Sequence, residues 1–183
     1  KITDANGIRL GIISPDGRDG MIEHAEQFKQ AGIPFIFDPG QGMPMFDGND
    51  LKKFIEQTSY VTVNDYEWQL MQERTGYNVQ DVTKQVTALI VTMGGNGSMI
   101  YTEEKEYKIP SVTPAGIKDP TGCGDAYRAG LLYGLLNDLD WETTGRIASL
   151  IGSIKIASNG TQNHQFTIDE FKEKFKQEFD YEY

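Results

Sequence analysis

The sequence predicts an α/β fold in which a mostly parallel sheet is covered by helices on both faces. Short apolar runs typical of buried strands alternate along the chain with segments whose apolar residues recur every three or four positions. Turn residues, mainly glycine, proline, asparagine and aspartate, separate these segments. Strands that alternate with helices form mostly parallel sheets, because each helix returns the chain to the same end of the sheet. The length of 183 residues fits one such domain with a sizeable core.

The strands and helices follow from these apolar patterns in chain order. We predict strands at residues 9–14, 35–37, 60–63, 88–92, 98–101 and 106–109, the last two forming a hairpin. We predict helices at residues 21–32, 51–57, 64–74, 126–136, 141–158 and 167–179. The last of these helices begins with a capping box formed by Thr167 and Glu170. The helix at 51–57 has three candidate caps, which are Asp47, Asn49 and Asp50.

Polar residues follow several of the predicted strands. Ligands of mostly parallel sheets bind beyond the C-terminal ends of the strands. Asp38, Asn64, residues 92–97 and the loop at 119–125 would all lie at that edge. For Asp38 two roles are equally open, a contact in the site or the cap of a turn. The sequence therefore predicts a single ligand site at this edge of the sheet.

The loop at 119–125, with the sequence Asp-Pro-Thr-Gly-Cys-Gly-Asp, is the most informative stretch of the chain. A tight glycine loop that leads into a helix presents unpaired N–H groups at the positive end of the helix dipole, which favours a bound anion. A carboxylate such as Asp125 needs a task beside an anion. The natural task is to accept the proton of a hydroxyl that attacks a phosphoryl group. The loop therefore predicts phosphoryl transfer.

Composition and charge disfavour several classes of protein. The formal net charge of −10 disfavours nucleic acid and anionic membranes as partners. No apolar run approaches the roughly 20 residues of a membrane span, and the opening residues lack a signal-peptide pattern. A single cysteine, Cys123, excludes an internal disulfide and suits the cytoplasm, where we expect the protein. The chain has no Walker A sequence and no Gly-x-Gly-x-x-Gly after its first strand, and His24 and His164 lack metal-ligand spacing.

Four motifs, in order along the chain, carry a family resemblance. The loop at 119–125 and the residues Ala-Tyr-Arg-Ala-Gly that follow it resemble the C-terminal signature of the ribokinase-like (PfkB) carbohydrate and nucleoside kinases. Residues 64–67 (Asn-Asp-Tyr-Glu) are similar to the Asn-x-x-Glu motif of that family, and residues 92–97 (Thr-Met-Gly-Gly-Asn-Gly) to its nucleotide-binding turn. Residues 159–162 (Asn-Gly-Thr-Gln) are similar to its segment near the adenine and monovalent-cation sites. The resemblance implies a three-layer α/β/α ribokinase-like fold.

The resemblance also implies a role for each site residue. Asp125 is the expected base, and the N–H groups of Gly122, Cys123 and Gly124 are the expected anion hole for the transferring phosphoryl group. ATP and Mg²⁺ are the expected cofactors. The residues expected to bind the nucleotide are Asn64, Thr92, Gly94, Gly97 and Gly160, with Glu67 holding Mg²⁺ through water. Asp119 and Thr121 match positions that bind a monovalent cation, so activation by K⁺ is a further expectation, although Pro120 departs from the family pattern there.

Several of these residues have a plainer alternative. Asn64 and Glu67 also have the spacing of a helix cap, although their place after a strand and among the other motifs favours a site. Residues 92–97 could form a simple turn between strands, which is compatible with nucleotide binding. Cys123 could be a reactive thiol at a helix N-terminus, but a small residue without a chemical role is favoured.

The acceptor of the phosphoryl group is the least defined part of the prediction. Arg128 lies one helical turn after Asp125, where it could contact the acceptor or the phosphate, or equally neutralise the carboxylate. The loop with its Arg128 looks most like bacterial adenosine kinase-type members of the family, so adenosine is the first expected acceptor and a ribose- or fructose-like sugar the second. A nucleotide-binding module that has lost transfer is the alternative of another class, and the intact loop argues against it.

Members of the family have further N-terminal residues that carry a lid and most acceptor contacts. We therefore expect residues 1–183 to be the C-terminal, nucleotide-binding portion of a single kinase domain, without the N-terminal part and the lid. Alone, this portion is expected to be inactive. A homodimer, if the protein forms one, would be expected to use the lid.

Overall fold

The computed structural model describes residues 5–183 and contains a six-stranded sheet whose strands are adjacent in chain order. The strands are Gly11–Ile13 (β1), Phe35–Phe37 (β2), Tyr60–Asn64 (β3), Ala88–Thr92 (β4), Ser98–Tyr101 (β5) and Glu106–Ile109 (β6). Strands β1 to β4 pair in parallel, each with the next. The six predicted strands are confirmed, and only β1 is clearly shorter than predicted.

Within residues 5–183, seven α-helices accompany the sheet. They are Arg18–Gln30 (α1), Gly48–Gln57 (α2), Asp65–Thr75 (α3), Val79–Thr83 (α4), Cys123–Leu136 (α5), Trp141–Ile156 (α6) and Ile168–Phe179 (α7). Two short 3₁₀ helices lie at Gly40–Met45 and Gly94–Asn96. In the described part of the chain, no helix is both long enough and apolar enough to cross a lipid bilayer.

Capping side chains set the start of several helices. The Asp47 carboxylate accepts hydrogen bonds from the N–H groups of Asn49 and Asp50, so Asp47 is the cap among the three candidates for α2. The predicted capping box of Thr167 and Glu170 is also confirmed, at the start of α7. Each such cap satisfies N–H groups that the first turn of a helix leaves without a backbone acceptor.

Three differences from the predicted elements stand out. The short helix α4 was not predicted, and residues 40–45, expected to be a loop, form a 3₁₀ helix. Helix α5 begins at Cys123 rather than after Asp125, because Gly122 adopts a left-handed conformation with φ of 85° and acts as the N-cap. As a result, Cys123, Gly124 and Asp125 form the first helical turn instead of the loop that precedes it.

The chain divides into two compact units, each with its own apolar core. One unit contains residues up to Met93 together with Met99–Glu106. Its core includes the phenylalanines of β2 and α2, among which the rings of Phe37 and Phe54 stack with centroids 4.1 Å apart. Continuous burial of β2 and of most of β4 is typical of strands in a parallel sheet with both faces covered.

The other unit contains Gly94–Ser98 and Tyr107–Tyr183. Within it, α5 and α6 pack closely because glycines of α5 face α6. A Cβ atom on Gly130 would lie 2.4 Å from the Cα atom of Ala148. A second core, formed by Val112, Ile147, Leu150, Phe171 and Phe175, joins α6 to α7.

Candidate active site

Three predicted site residues lie at the C-terminal edge of the parallel strands. Asp38 follows β2, Asn64 ends β3 and Thr92 ends β4. Asn64 and Thr92 are direct partners in the register of β3 and β4. Asp38 is buried, and the Ser14 hydroxyl donates to its Oδ2 atom at 3.5 Å. The first unit therefore places three of the expected polar residues at this edge, and the gathering of the others into one site stays a prediction.

Asn64 and Glu67 form the helix cap that was the alternative to a binding role. The Oδ1 atom of Asn64 accepts from the Glu67 N–H at 2.7 Å, and the Oε2 atom of Glu67 accepts from the Asn64 N–H at 2.9 Å. Each side chain contributes one atom to this cap, so the cap itself does not require the Asn64 amide nitrogen or the Glu67 Oε1 atom. The role in binding phosphate and Mg²⁺ stays a prediction. Among the described residues, no group of three or more His, Cys, Asp or Glu side chains could hold a metal ion.

The glycine turn at Gly94–Asn96 belongs to the second unit and is tightly fixed there. Gly94 and Gly97 have φ values of 53° and 86°, which favour glycine. A Cβ atom on Gly97 would lie 2.1 Å from the Ile109 carbonyl oxygen, so no side chain fits at this position. The Ser111 hydroxyl donates to the Gly95 carbonyl at 2.7 Å. The turn is thus held by the segment after β6, and its contact with a nucleotide stays a prediction.

The N-terminus of α5 has the geometry of an anion site. Gly122 supplies no side-chain cap, so the cap position leaves the first-turn N–H groups uncovered. The Cys123 N–H donates to the Pro120 carbonyl at 3.1 Å, which closes the turn before the helix. Of the predicted donors, Cys123 is therefore already engaged, whereas the N–H groups of Gly124 and Asp125 have no acceptor within the helix. The anion hole of Gly122, Cys123 and Gly124 stays a prediction, and the Asp125 N–H is a further candidate donor.

Asp125 is exposed, and Arg128 lies beside it. The Asp125 side chain is 86% exposed, whereas that of Arg128 is 19% exposed, and Nη1 of Arg128 lies 3.7 Å from Oδ1 of Asp125. A Cβ atom on Gly124 would lie 2.5 Å from the same Nη1 atom, so a glycine there lets the guanidinium lie along the first turn. The pairing agrees with the expectation that Arg128 neutralises the carboxylate. A contact with the acceptor stays a prediction.

Asp119, predicted with Thr121 to bind a monovalent cation, is connected by hydrogen bonds to both Thr121 and Gly160. Oδ1 of Asp119 accepts from the Thr121 N–H and Oδ2 from the Gly160 N–H, both at 2.9 Å. The backbone and side chain of Thr121 lower the pKa of Asp119, and the Gly160 N–H and the charge of Lys155 lower it further. The carboxylate therefore connects Gly160 to the loop that precedes α5.

Lys155, which was not among the predicted site residues, contacts the backbone of Asp119. It is fully buried, with 0% exposure, and its Nζ atom donates to the Asp119 carbonyl at 2.7 Å and to the Ser158 carbonyl at 3.4 Å. A signal was present in the sequence: Lys155 follows Ile147 and Ile151 at intervals of four, so it lies on the apolar face of α6. A lysine on such a face must find polar partners.

The environment of Cys123 favours the plainer of its two alternatives. Burial raises the pKa of the thiol, an effect that Lys155 opposes and Asp119 reinforces. Because the thiolate is the nucleophilic form, a raised pKa makes the thiol less reactive than an ordinary cysteine. This direction favours a small residue without a chemical role, and the absence of such a role for Cys123 stays a prediction.

Comparison with known proteins identifies relatives along most of the chain. The family model for pfkB family carbohydrate kinases matches residues 7–167. The nucleoside kinase of Methanocaldococcus jannaschii is 35% identical over 140 residues, which cover 76% of this chain and 46% of that protein. The nucleoside kinase of Burkholderia thailandensis in complex with inosine is 46% identical, with a TM-score of 0.96 over 98% of this chain and 60% of that chain. The same enzyme in complex with ADP-inosine also matches with a TM-score of 0.96, over 98% of this chain and 56% of that chain.

The extent of these matches establishes the fold and the family. The crystal structure of the M. jannaschii enzyme, an archaeal member of the ribokinase family, matches with a TM-score of 0.88 at 30% identity, over 92% of this chain and 56% of that chain. The predicted ribokinase-like α/β fold is thereby confirmed. The chain spans about half the length of the curated relatives it matches. Since the family model covers most of its residues, the chain belongs to the pfkB family of carbohydrate kinases.

Proposed function

We propose that the protein containing this chain is a kinase that transfers the γ-phosphoryl group of ATP to the primary hydroxyl of a nucleoside. The observation that carries the proposal is the first turn of α5, where an exposed carboxylate, Asp125, lies beside N–H groups without intrahelical acceptors. Phosphoryl transfer needs donors that bind the anionic phosphoryl group and a base that accepts the proton of the attacking hydroxyl. Support for a nucleoside comes from the B. thailandensis relative, which was solved with inosine and with ADP-inosine.

In this proposal Asp125 is the general base. The acceptor hydroxyl oxygen attacks the γ-phosphorus, the bond from that phosphorus to the bridging oxygen breaks, and ADP leaves with the electron pair. The hydroxyl proton passes to an oxygen of the Asp125 carboxylate. The N–H groups of Gly124 and Asp125, at the positive end of the α5 dipole, stabilise the charge on the transferring group, and Gly122 keeps their approach open.

The remaining predicted residues bind the nucleotide, which enters as its Mg²⁺ complex. Thr92, Gly94 and Gly97 contact the phosphates and ribose in this proposal, and Gly160 lies near the adenine. Asn64 and Glu67 would hold the Mg²⁺ through water. A single carboxylate is enough for such a site, because Mg²⁺ keeps several waters and binds substrate phosphates.

The acceptor is proposed to be a purine nucleoside. Adenosine is the acceptor expected from the loop sequence, and inosine is the nucleoside bound by the B. thailandensis relative. A sugar such as ribose or fructose is the second candidate, because the matching family model describes carbohydrate kinases. We further propose a cytoplasmic enzyme without nucleic-acid or membrane partners, in keeping with the net charge of −10 and the single cysteine.

The test is phosphoryl transfer by the intact protein with ATP and a panel of acceptors containing adenosine, inosine, guanosine, cytidine, ribose and fructose. We expect turnover with at least one purine nucleoside. Replacing the base, Asp125→Asn, should lower kcat by about 10²–10⁴-fold, the usual contribution of a general base. Asp169→Asn is the matched control, because Asp169 is an exposed carboxylate in the first turn of α7 and its replacement changes the charge equally.

Three results would contradict the proposal. Turnover of none of the acceptors, combined with measurable ATP binding, would favour a nucleotide-binding module. Turnover of sugars alone would show that the acceptor is a carbohydrate and not a nucleoside. Full activity in Asp125→Asn would show that Asp125 is not the general base.

A further inference from the structure

Lys155 occupies an unusual position for a lysine. It lies in the last turn of α6, it is fully buried, and backbone carbonyl oxygens of two separate segments accept from its Nζ atom. One carbonyl belongs to Asp119, in the loop before α5, and the other to Ser158, just after α6. A buried charge is costly unless it is matched by hydrogen bonds and by opposite charge. The carboxylate of Asp119, whose pKa the charge of Lys155 helps to lower, supplies that opposite charge.

The groups around this amine are those that a monovalent cation would require. Carbonyl and carboxylate oxygens are the ligands of hard cations. The resemblance noted in the sequence placed such a cation beside Asp119 and Thr121. The residues do not fit it, because the Lys155 ammonium lies 2.7 Å from the Asp119 carbonyl oxygen, and a cation bound to the same oxygen would face a like charge at close range. The N–H groups of Thr121 and Gly160 also donate to the two carboxylate oxygens of Asp119.

We propose that the Lys155 side chain supplies the positive charge that a monovalent cation would supply at this loop, so that the phosphoryl transfer proposed above does not require K⁺. The inference rests on the proposed function only for its kinetic consequence. Its structural part, a lysine in place of an ion, concerns the described residues alone.

Lys155 acts on the site through the loop and is therefore a positioning residue. Its Nζ atom holds the carbonyl of Asp119, and the N–H groups of Lys118 and Asp119 donate to the Ile156 carbonyl at 2.9 and 3.3 Å. The end of α6 thus fixes the start of the segment that closes through Pro120 and Gly122 into the first turn of α5. Loss of the Lys155 charge should leave the N–H groups and the carboxylate of that turn in place but make their positions less well fixed.

The decisive variant is Lys155→Met, compared with wild type and with Lys118→Ala in the intact protein. Methionine keeps the length and apolar surface of the lysine stem but leaves the position of Nζ open to an ion. Lys118 is an exposed lysine of the same loop, so its removal is a control for the change in net charge. The melting temperature without nucleotide and kcat with a nucleoside acceptor are measured in choline, Na⁺, K⁺ and NH₄⁺ chlorides at equal ionic strength.

We expect wild type and Lys118→Ala to have the same kcat and melting temperature in K⁺ and in choline. In choline, Lys155→Met should lose about 10–100-fold in kcat, the usual effect of removing a supporting contact. K⁺ and NH₄⁺ should raise both its melting temperature and its kcat, whereas choline should not. A gain of cation dependence is a readout that loss of packing alone would not produce.

Several outcomes would overturn the inference. One is activation or stabilisation of wild type by K⁺, which is measured whether or not the variant folds. Another is a Lys155→Met protein that is unfolded, or destabilised, to the same extent in every salt, since that result would make Lys155 purely structural. If wild type transfers no phosphoryl group to any acceptor, the proposed function fails, and the melting temperatures still decide whether Lys155 replaces an ion.

Discussion

At the scale of single residues, the Asp119 carboxylate joins the segment around Gly160 to the loop before α5, and its stability contribution should depend on pH. Thr121 and Gly160 donate to it and, together with Lys155, lower its pKa. A group whose pKa is lower in the folded state stabilises the protein above its unfolded pKa of about 4, and the effect is lost as the pH falls through the folded value.

We therefore expect Asp119→Asn to lower the free energy of unfolding at pH 7, and the difference from wild type to shrink as the pH is lowered towards about 3, below the unfolded pKa. Urea denaturation across this range measures the difference. Asp169→Asn removes an exposed carboxylate of the same unit and should show a small difference throughout. A difference for Asp119→Asn that is equally large at both ends of the range would refute the linkage.

The residues of the site were predictable to different degrees. Asp119 and Thr121 came from one family motif and Gly160 from another, and hydrogen bonds to the Asp119 carboxylate connect them. The anion-hole donors Gly122, Cys123 and Gly124 stay a prediction, and the sequence does not show that the Cys123 N–H also closes the turn before α5. Lys155 was missed although its place on the apolar face of α6 is visible in the sequence, because its partners are backbone carbonyls, which side-chain patterns do not reveal.

At the scale of elements, the contact of α5 with α6 depends on glycine where the helices approach most closely. A Cβ atom on Gly130 would lie 2.4 Å from Cα and 2.8 Å from N of Ala148, both of which are backbone atoms that cannot move aside alone. By contrast, a Cβ atom on Gly152 of α6 would have the Cys123 carbonyl oxygen as its nearest neighbour, at 4.0 Å. Both glycines lie in helix interiors, so alanine improves helix propensity at both positions. Any difference in stability between the two variants therefore reports on packing.

Gly130→Ala should destabilise the protein by about 1–3 kcal/mol through overpacking, even though alanine favours a helix. Gly152→Ala should instead stabilise it by about 0.5–1 kcal/mol, because alanine restricts the unfolded chain and fits the space. Urea denaturation of both variants checks the pair. Stabilisation of similar size in both would show that the helices can separate at no cost.

The limits of the elements were predictable from the sequence where most residues of a strand are buried and apolar. The limits of β2 and β4, which are buried along most of their length, were predicted correctly because their apolar runs end at turn residues. The short α4 was missed, since its apolar pattern covers barely one turn and its start depends on the capping box of Asn78 and Asp81. The start of α5 was placed too late, because glycines at 122 and 124 disfavour a helix by propensity while the left-handed Gly122 permits one.

At the scale of the whole chain, the two compact units have separate apolar cores. The first core contains Phe37 and lies in the strands and helices before Met93, together with Tyr101. The second contains Phe175 and lies in α6, α7 and the segment that includes Val112. Cooperative units in proteins open with free energies set by their own buried contacts. The division predicts that damage to one core is felt mainly in its own unit.

Phe175→Leu and Phe37→Leu test this prediction as a matched pair, since each removes part of a fully buried ring from one core. Each should cost roughly 1–3 kcal/mol, which is small enough for the protein to remain folded. Hydrogen exchange measured by mass spectrometry should then show faster exchange of amides within 107–183 for Phe175→Leu, with little change in α1 to α3, and the reverse for Phe37→Leu. If either variant instead accelerates exchange equally in both units, the chain opens as one cooperative structure and the separate cores have no separate stability.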